Sequence, residues 1–105
     1  MKQSVFDGME YVYAVYREGS FQRASERLFI SQPSISASVR RVEERIGSQI
    51  FDRSMKPLGL TECGKKYISL VEDIMAIERE FTEFVNDWEG LRCGKLVLGG
   101  SSFFC

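Results

Sequence analysis

The chain has 105 residues, 44% hydrophobic and 28% charged, so it can bury one small core but not two, and no apolar run is long enough to cross a membrane. It contains no histidine and three widely spaced cysteines (Cys63, Cys93 and Cys105), which argues against a metal site, a disulfide framework and histidine-dependent catalysis. The net charge of −1 is segregated, because residues 1–66 carry 11 basic and 8 acidic side chains (+3) and residues 67–105 carry 3 and 7 (−4).

The first predicted element is an amphipathic helix that runs from Phe6 to about Glu18 and ends at Gly19. Its apolar side chains recur at spacings of three and four residues, as in a helix with one buried face. These side chains are Phe6, Met9, Val12, Tyr13 and Tyr16. Glycine commonly follows the last turn of a helix because it adopts left-handed dihedral angles without a steric penalty. This helix is expected to supply part of the core.

Two further helices, joined by a tight turn, are predicted between Ser20 and Gly47. Ser20 is a suitable N-cap for the first of them, and its inner face holds Phe21, Ala24 and Leu28, with Ser25 beside them. The second helix starts at Ser31, since serine caps free N–H groups and the following Pro33 fits a first helical turn. Its inward stripe consists of Ile35, Val39, Val42 and Ile46, and Gly47 ends it.

The outward face of the second helix is polar, and its composition changes along the helix. Its members are Gln32, Ser34, Ser36, Ala37, Arg40, Arg41 and Glu44. Short polar groups in the first turns can approach base edges in DNA, whereas arginines in the later turns suit phosphates. An ordinary solvated helix face has the same composition, so this pattern alone leaves both interpretations open.

A small β-hairpin is predicted next, from residues 49–53 (QIFDR) and 58–60 (LGL), which are separated by SMKP. Lys56 would lie near its tip, where a cation on a projecting loop can enter a DNA minor groove and meet its negative potential. The alternative is an ordinary charged turn.

The last helix is predicted to start at Thr61 with Glu62. Its apolar side chains alternate steps of three and four residues over more than three heptads, as in a coiled coil. They are Tyr67, Leu70, Ile74, Ile77, Phe81, Phe84, Trp88 and Leu91. We expect a homodimer along this seam, antiparallel or loosely crossed because of the aromatics; packing against another part of the same chain is the alternative. Residues 95–98 (KLVL) are expected to form the first strand of a further domain.

Taken together, residues 6–99 resemble the N-terminal part of the LysR-type transcriptional regulators. The similarity rests on four blocks in order: EGSFQRASERLFISQPSIS, VRRVEERIGSQIFDR, LTECG and CGKLVLG. It implies a mainly α fold, with a winged helix-turn-helix (three helices and a two-stranded wing) over residues 1–61 and a long linker helix over residues 62–93 that dimerises antiparallel. Residues 94–105 would begin a C-terminal effector-binding domain that is absent from the chain.

The resemblance also implies partners and function. The partners would be double-stranded promoter DNA, at imperfect two-fold sites, and a second copy of the chain; a tetramer is compatible with the full-length protein. No cofactor is expected in this chain, and a small-molecule effector is expected only for the absent domain. The chain would therefore be a cytoplasmic transcription regulator and not an enzyme, in keeping with an N-terminus that lacks a signal peptide.

Individual residues receive roles by their position in this resemblance. Base-reading roles fall on Gln32, Pro33, Ser34, Ser36 and Ala37, and the minor-groove role of the wing falls on Lys56. DNA-backbone contacts are expected for Ser20, Arg23, Arg53 and Thr61, and for Arg40 from its place in the later turns. Family members often carry arginine where this chain has Ala37, and a methyl group can touch a thymine methyl but cannot make a bidentate contact to guanine.

Two other functions compete with DNA binding. A protein-interaction module would use the apolar seam of the last helix to recruit a partner, with the front of the chain as a spacer. A thiol redox sensor would use Cys63, which lies beside Glu62 and near Lys65 at a helix start that can lower a thiol pKa. A small side chain packed in the first helical turn is the simpler interpretation of Cys63.

Overall fold

The computed structural model of the chain describes residues 4–90, and within that range it contains four helices and one two-stranded antiparallel sheet. The chain divides into two compact units, Met1–Val71 and Glu72–Cys105. The elements are α1 (Met9–Glu18), α2 (Phe21–Leu28), α3 (Gln32–Ile46), β1 (Phe51–Asp52), β2 (Gly59–Leu60) and α4 (Glu62–Gly90). The helix-turn-helix, the hairpin wing and the long last helix expected from the sequence are therefore confirmed.

Helix α1 begins three residues later than predicted, because Gly8 takes a left-handed conformation (φ +87°) immediately before Met9. A side chain at Gly8 would be strained, and its Cβ would lie 3.2 Å from Cγ2 of Val42. The turn before α1 is held by Arg45, whose Nη1 donates to the carbonyl oxygens of Ser4 (3.2 Å) and Asp7 (2.9 Å). Phe6 therefore lies in a turn and not in the helix.

The buried face of α1 is also shifted by one residue from the prediction. Val12 and Val15 are fully buried, whereas Tyr16, which the spacing places on the inner stripe, is 38% exposed. Both positions lie within one turn of Val12, so spacing alone does not separate them. The smaller valine lies in the core, and the Tyr16 ring lies at its edge beside Tyr13, with ring centroids 5.8 Å apart.

Helices α2 and α3 begin as the sequence predicts. The Oγ of Ser20 accepts a hydrogen bond from the Arg23 N–H (2.9 Å), and the Oγ of Ser31 accepts one from the Ser34 N–H (3.2 Å). Such caps satisfy N–H groups that have no partner inside the helix. Between the helices, Phe29 ends α2 in a left-handed conformation (φ 59°) that bulky residues rarely adopt.

The core of the first unit is assembled from the inner faces of all its elements. Its fully buried apolar side chains are Val12, Val15, Ala24, Ile35, Val39, Val42, Ile50 and Val71, with Phe51 almost so. The prediction for α3 is confirmed at Ile35, Val39 and Val42, while Ile46 is half-buried. Because α2 and α3 share this core, the outer face of α3 is held in a fixed orientation to the N-terminus of α2.

The hairpin meets the start of α4 through a close backbone approach. Strands β1 and β2 pair Phe51 with Leu60 and Asp52 with Gly59. The next residue, Thr61, donates its N–H to the Ile50 carbonyl oxygen (3.0 Å). A Cβ placed on Gly64 would lie 2.0 Å from that same carbonyl oxygen. Glycine is a weak helix former, but packing requires it at position 64 because no side chain fits there.

The first ten residues of α4 lie in the first unit and contribute three apolar side chains to its core, among them the predicted dimerisation residue Tyr67. Tyr67 is 5% exposed, stacks on Phe6 with ring centroids 5.2 Å apart, and donates its hydroxyl hydrogen to the Val5 carbonyl oxygen (2.8 Å). Burial raises the pKa of Tyr67 to about 12, against a smaller opposing effect of the Arg45 charge. Tyr67 is thus part of this chain's own packing, as are its neighbours Ile68 and Val71.

The part of α4 in the second unit exposes its apolar side chains. Ile77, Phe81, Phe84 and Trp88 are 52–65% exposed, and the rings of Phe81 and Phe84 stack with centroids 6.3 Å apart. No helix within residues 4–90 is long and apolar enough to span a membrane. The predictions for Leu91 and for the strand at residues 95–98 lie outside the described residues, as do Cys93 and Cys105.

Candidate nucleic-acid interface

The first turn of α3 presents hydrogen-bonding groups that are not used within the described part of the chain. Gln32 is exposed, and its amide makes no hydrogen bond to any of residues 4–90. Ser34 accepts a hydrogen bond from the Ser31 hydroxyl (2.9 Å), so its own hydroxyl hydrogen remains available. Pro33 is exposed, and Ser36 and Ala37 are placed one turn further on, with Ala37 half-buried. All five predicted base-reading residues thus lie in the first two turns of α3.

An open groove of about 400 Å³ joins this turn of α3 to the N-terminus of α2 and to the hairpin. Four of the residues that line it are predicted DNA contacts from three separate elements: Ser20, Gln32, Arg53 and Lys56. The oxygen of Ser20 accepts from a backbone N–H, and its hydroxyl hydrogen is free to donate. A hydroxyl, an amide and two cations therefore lie around one concave surface, which is suited to a phosphate backbone and an adjacent base edge.

A second open groove, of about 590 Å³, follows α3 toward its C-terminus. It is lined by Ser36, Arg40, Glu43, Glu44 and Arg53, together with the residues of the following turn. Arg53 lines both grooves, so the two meet at this side chain.

Glu43 is the functional residue that sequence analysis did not identify. It is 8% exposed, and its Oε2 accepts hydrogen bonds from the N–H groups of Ile50 (2.9 Å) and Phe51 (3.4 Å). Its Oε1 lies 3.5 Å from Nη2 of Arg53. Glu43 thereby fastens α3 to the first strand of the hairpin. Its position in the sequence could have revealed this role, because Glu43 follows Val39 by four residues and so lies on the buried face of α3. An acidic side chain on a buried face needs hydrogen-bond or ion-pair partners.

Arg53 is held on two sides. Its guanidinium carbon lies 5.2 Å from the centroid of the Phe21 ring, and the Glu43 carboxylate neutralises part of its charge. The side chain remains 44% exposed, so a phosphate could still reach it. This arrangement links α2, α3 and the hairpin through one cation.

The other cations differ in how far they are already engaged. Arg23, Arg40 and Lys56 are exposed and make no ion pair within residues 4–90. By contrast, Arg41 donates to the Ser38 hydroxyl (3.3 Å), and Arg27 lies 3.8 Å from Glu18. Of the cations predicted to contact DNA, Arg53 alone has an ion-pair partner within residues 4–90; Arg17, Lys66 and Arg79, for which no contact was predicted, are also unpaired there.

Thr61, a further predicted backbone contact, uses its hydroxyl within the chain. The hydroxyl donates to the Gln49 carbonyl oxygen (2.6 Å) and accepts from the Gly64 N–H (2.9 Å). Contacting a phosphate as a donor would therefore require the bond to Gln49 to break. The DNA contact of Thr61 stays a prediction, while its role as the cap of α4 is observed.

The turn that carries Lys56 is fixed at its base. Asp52 Oδ1 accepts hydrogen bonds from the N–H and the hydroxyl of Ser54, which hold the pKa of the Asp52 carboxyl below its usual value.

Neither a reactive cysteine site nor a metal site is evident among residues 4–90. Cys63 is a half-buried free thiol, and no cluster of three metal-binding side chains is found among these residues.

Comparison with known proteins relates this surface to a family. A family model described as bacterial regulatory helix-turn-helix protein, lysR family, matches residues 6–65, more than half of the chain. The probable RuBisCO transcriptional regulator of Cyanidium caldarium is 35% identical over 95 residues, which are 90% of this chain and 30% of that protein. The chain thus spans about a third of the length of such curated relatives.

Solved structures share the same fold. The DNA complex of Vibrio fischeri DarR is 26% identical, with a TM-score of 0.61 over 82% of this chain and 30% of that chain. The DBD of BenM, crystallised with benA site 1 DNA, superimposes with a TM-score of 0.72 over 81% of this chain and 98% of that chain, at 24% identity. The second similarity concerns the fold alone.

Proposed function

The chain belongs to the lysR family of bacterial regulatory helix-turn-helix proteins, and from this premise we propose that it is a sequence-specific DNA-binding transcription regulator. The first two turns of α3 enter the major groove, which is how the second helix of a helix-turn-helix binds DNA. Lys56 on the hairpin reaches the adjacent minor groove. Arg23, Arg40 and Arg53 contact phosphates, with Ser20 and Thr61 as further backbone contacts.

The observation that carries this proposal is the groove lined by Ser20, Gln32, Arg53 and Lys56. These residues come from α2, α3 and the hairpin, and most of their polar groups have no internal partner within residues 4–90. A solvated helix face would not require such convergence of three elements on one concave surface. The names of relatives support the same function, since one is a probable RuBisCO transcriptional regulator and another is described in complex with DNA.

We further propose that two chains associate through α4. The exposed apolar side chains of its second part would be covered by a second copy, because isolated helices rarely keep so much apolar surface in water. The residues involved are Ile74, Ile77, Phe81, Phe84 and Trp88, with Leu70 near the end of the first unit and Leu91 beyond the described range. A dimer would present two α3 helices to one duplex, as two-fold related binding sites require.

The test is a titration of the chain against duplex DNA at several salt concentrations. Promoter duplexes recovered by genome-wide mapping of bound DNA are compared with scrambled duplexes of the same length. Gln32→Ala should weaken binding to the recovered duplex by about 1–3 kcal/mol and relax one base position. Arg40→Ala should weaken binding to both duplexes alike. It should also reduce the slope of log affinity against log salt concentration by about one unit, because one phosphate fewer is neutralised.

Arg27→Ala is the matched control, because Arg27 is an exposed arginine outside both grooves and close to Glu18. Its substitution should leave the salt dependence unchanged. Equally weakened binding to both duplexes for Gln32→Ala would contradict a base-reading role for that residue.

The second candidate is a protein-interaction module, favoured by the same exposed side chains of α4. It predicts a partner-dependent function with no affinity for duplex DNA. Sedimentation of the isolated chain as a dimer, together with duplex binding in the titration above, would eliminate this candidate.

A further inference from the structure

The base-facing part of α3 carries one side chain that can both donate and accept hydrogen bonds without giving up an internal partner. The Gln32 amide has a carbonyl acceptor and an NH₂ donor, and neither is used within residues 4–90. In the major groove, adenine presents an acceptor at N7 beside a donor at N6, and a glutamine amide matches both atoms at once. The chemistry of Gln32 therefore selects adenine among the four bases.

Guanine has no bidentate reader in the same turns. It is usually recognised by arginine or lysine, which donate to its N7 and O6 atoms, and residues 32–38 contain neither. Farther along α3, Arg41 donates to Ser38, and Arg45 donates to backbone carbonyls before α1. Arg40 is without a partner in the described range, but it follows Gln32 by eight residues, which is about 12 Å along the helix axis.

The remaining side chains of these turns are small. Ser34 has its hydroxyl oxygen engaged by Ser31, and it can donate to whichever acceptor lies opposite. Ala37 is half-buried and offers only a methyl group. The apolar feature of the major groove is the thymine C5 methyl, which is the base atom that an alanine side chain contacts favourably.

From these observations, and resting on the DNA-binding function proposed above, we propose that the base pairs beneath the first two turns of α3 are A·T pairs. An adenine lies opposite Gln32, and a thymine methyl lies against Ala37. Arg40, farther along the helix, contacts a phosphate, as proposed above. The selection of A·T pairs in the major groove thus depends mainly on one amide and one methyl group, because the serine hydroxyls donate to acceptors of either kind of base pair.

The experiment begins with selection of bound sequences from a randomised duplex library, using the whole chain. The adenine assigned to Gln32 is then replaced by 7-deazaadenine, which pairs normally but lacks the N7 acceptor. The native chain should bind the modified duplex several-fold more weakly, since it loses one of the two hydrogen bonds of a bidentate contact that contributes about 1–3 kcal/mol in all. Gln32→Ala should bind the modified and unmodified duplexes equally, because it cannot use N7.

Two substitutions should each change the selected sequence at one position. Gln32→Glu is nearly isosteric but lacks the donor, so selection should shift from adenine toward cytosine, whose N4 donates to a carboxylate. Ala37→Arg should add a guanine to the selected site. Both side chains are partly exposed, and circular dichroism will verify that the variants are folded.

The outcomes separate the two proposals. Selection of G·C pairs beneath the first two turns, or equal affinity for the deaza duplex, would overturn the A·T inference and leave DNA binding intact. Failure to select any sequence would overturn both. An adenine that responds to Gln32→Glu and to the removal of N7 would support both.

Discussion

Helix α4 has the same apolar spacing up to Val71 and after Glu72, but most of its apolar side chains are buried in the first part and exposed in the second. In the first, Tyr67, Ile68 and Val71 are buried within the chain. In the second, Phe81 and Trp88 continue the spacing but are 65% and 52% exposed. A periodic pattern therefore predicts which residues share a helix face, and it does not predict what covers that face.

The largest effect is expected at Gly64, where the first unit tolerates no side chain. Gly64→Ala would place a methyl group 2.0 Å from the Ile50 carbonyl oxygen, so the start of α4 must move away from the hairpin. We expect a decrease of about 3 kcal/mol or more in the free energy of unfolding, since overpacking against backbone cannot be relieved by a rotamer change. Urea unfolding of the purified variant measures it.

Ser69→Ala is the matched control, because Ser69 lies on an exposed position of the same helix. Alanine is the better helix former, so the free energy of unfolding should change by less than about 0.5 kcal/mol. A tolerated Gly64→Ala substitution would mean that α4 does not pack as closely on the Ile50 backbone as described.

A substitution in the second part of α4 should act on association instead of on folding of the first unit. Phe81→Ser removes an exposed aromatic ring and should weaken the proposed dimer by about 2–3 kcal/mol for each chain, because that apolar area would be buried between copies. Sedimentation equilibrium measures the dimer, and Glu80→Ala serves as the control on the neighbouring exposed position. Unchanged association of Phe81→Ser would favour a different partner for this face.

Glu43 offers a smaller and more specific effect within the first unit. Glu43→Ala would leave the N–H groups of Ile50 and Phe51 without their acceptor and should cost about 2 kcal/mol of stability. Glu43→Gln keeps a carbonyl acceptor and removes only the charge beside Arg53, so it should cost less. Denaturant unfolding of both variants separates the two contributions. Equal destabilisation would indicate that the charge, and not the hydrogen bonds, is what matters.

Local chemistry made much of the fold predictable. The serine caps at Ser20 and Ser31 and the glycine ends at Gly19 and Gly47 depend on residues a few positions apart, and the structure confirms all four. The helix-turn-helix and the hairpin follow from these boundaries and from the apolar spacing between them. The predicted contacts Ser20, Gln32, Arg53 and Lys56 also meet at one groove.

The features that sequence did not reveal depend on partners distant in the chain. Gly64 is constrained by a carbonyl 14 positions earlier, and Tyr67 donates to Val5, 62 positions away. Glu43 is buried because β1 returns two N–H groups to it. Helical spacing carries no information about such distant partners, so it places Tyr67 on the apolar stripe without indicating its contact with Val5, and it leaves Glu43 without a role.

The smallest expected effect is the pH dependence of the free energy of unfolding that the buried Tyr67 causes, since it distinguishes the buried first part of α4 from the exposed second part. Its pKa is raised to about 12 in the folded chain, mainly by burial, and an unfolded tyrosine titrates near 10. The stability that the neutral phenol contributes is therefore fully present below about pH 10 and disappears as the pH rises through 12. Tyr67→Phe should cost about 1 kcal/mol at pH 8, because the hydrogen bond to Val5 disappears, and this deficit should shrink between about pH 10 and pH 12.

Tyr16→Phe separates this effect from the titration of other groups, because it alters a more exposed tyrosine and leaves Tyr67 in place. Unfolding by urea at a series of pH values should give the Tyr16 variant the same alkaline decrease in stability as the native chain. A Tyr67→Phe variant that retained the full decrease would place the titrating group elsewhere, and Tyr67 would then be as accessible as the seam residues beyond it. A decrease confined to chains with Tyr67 would show that Tyr67 is buried within the chain, as are Ile68 and Val71 after it.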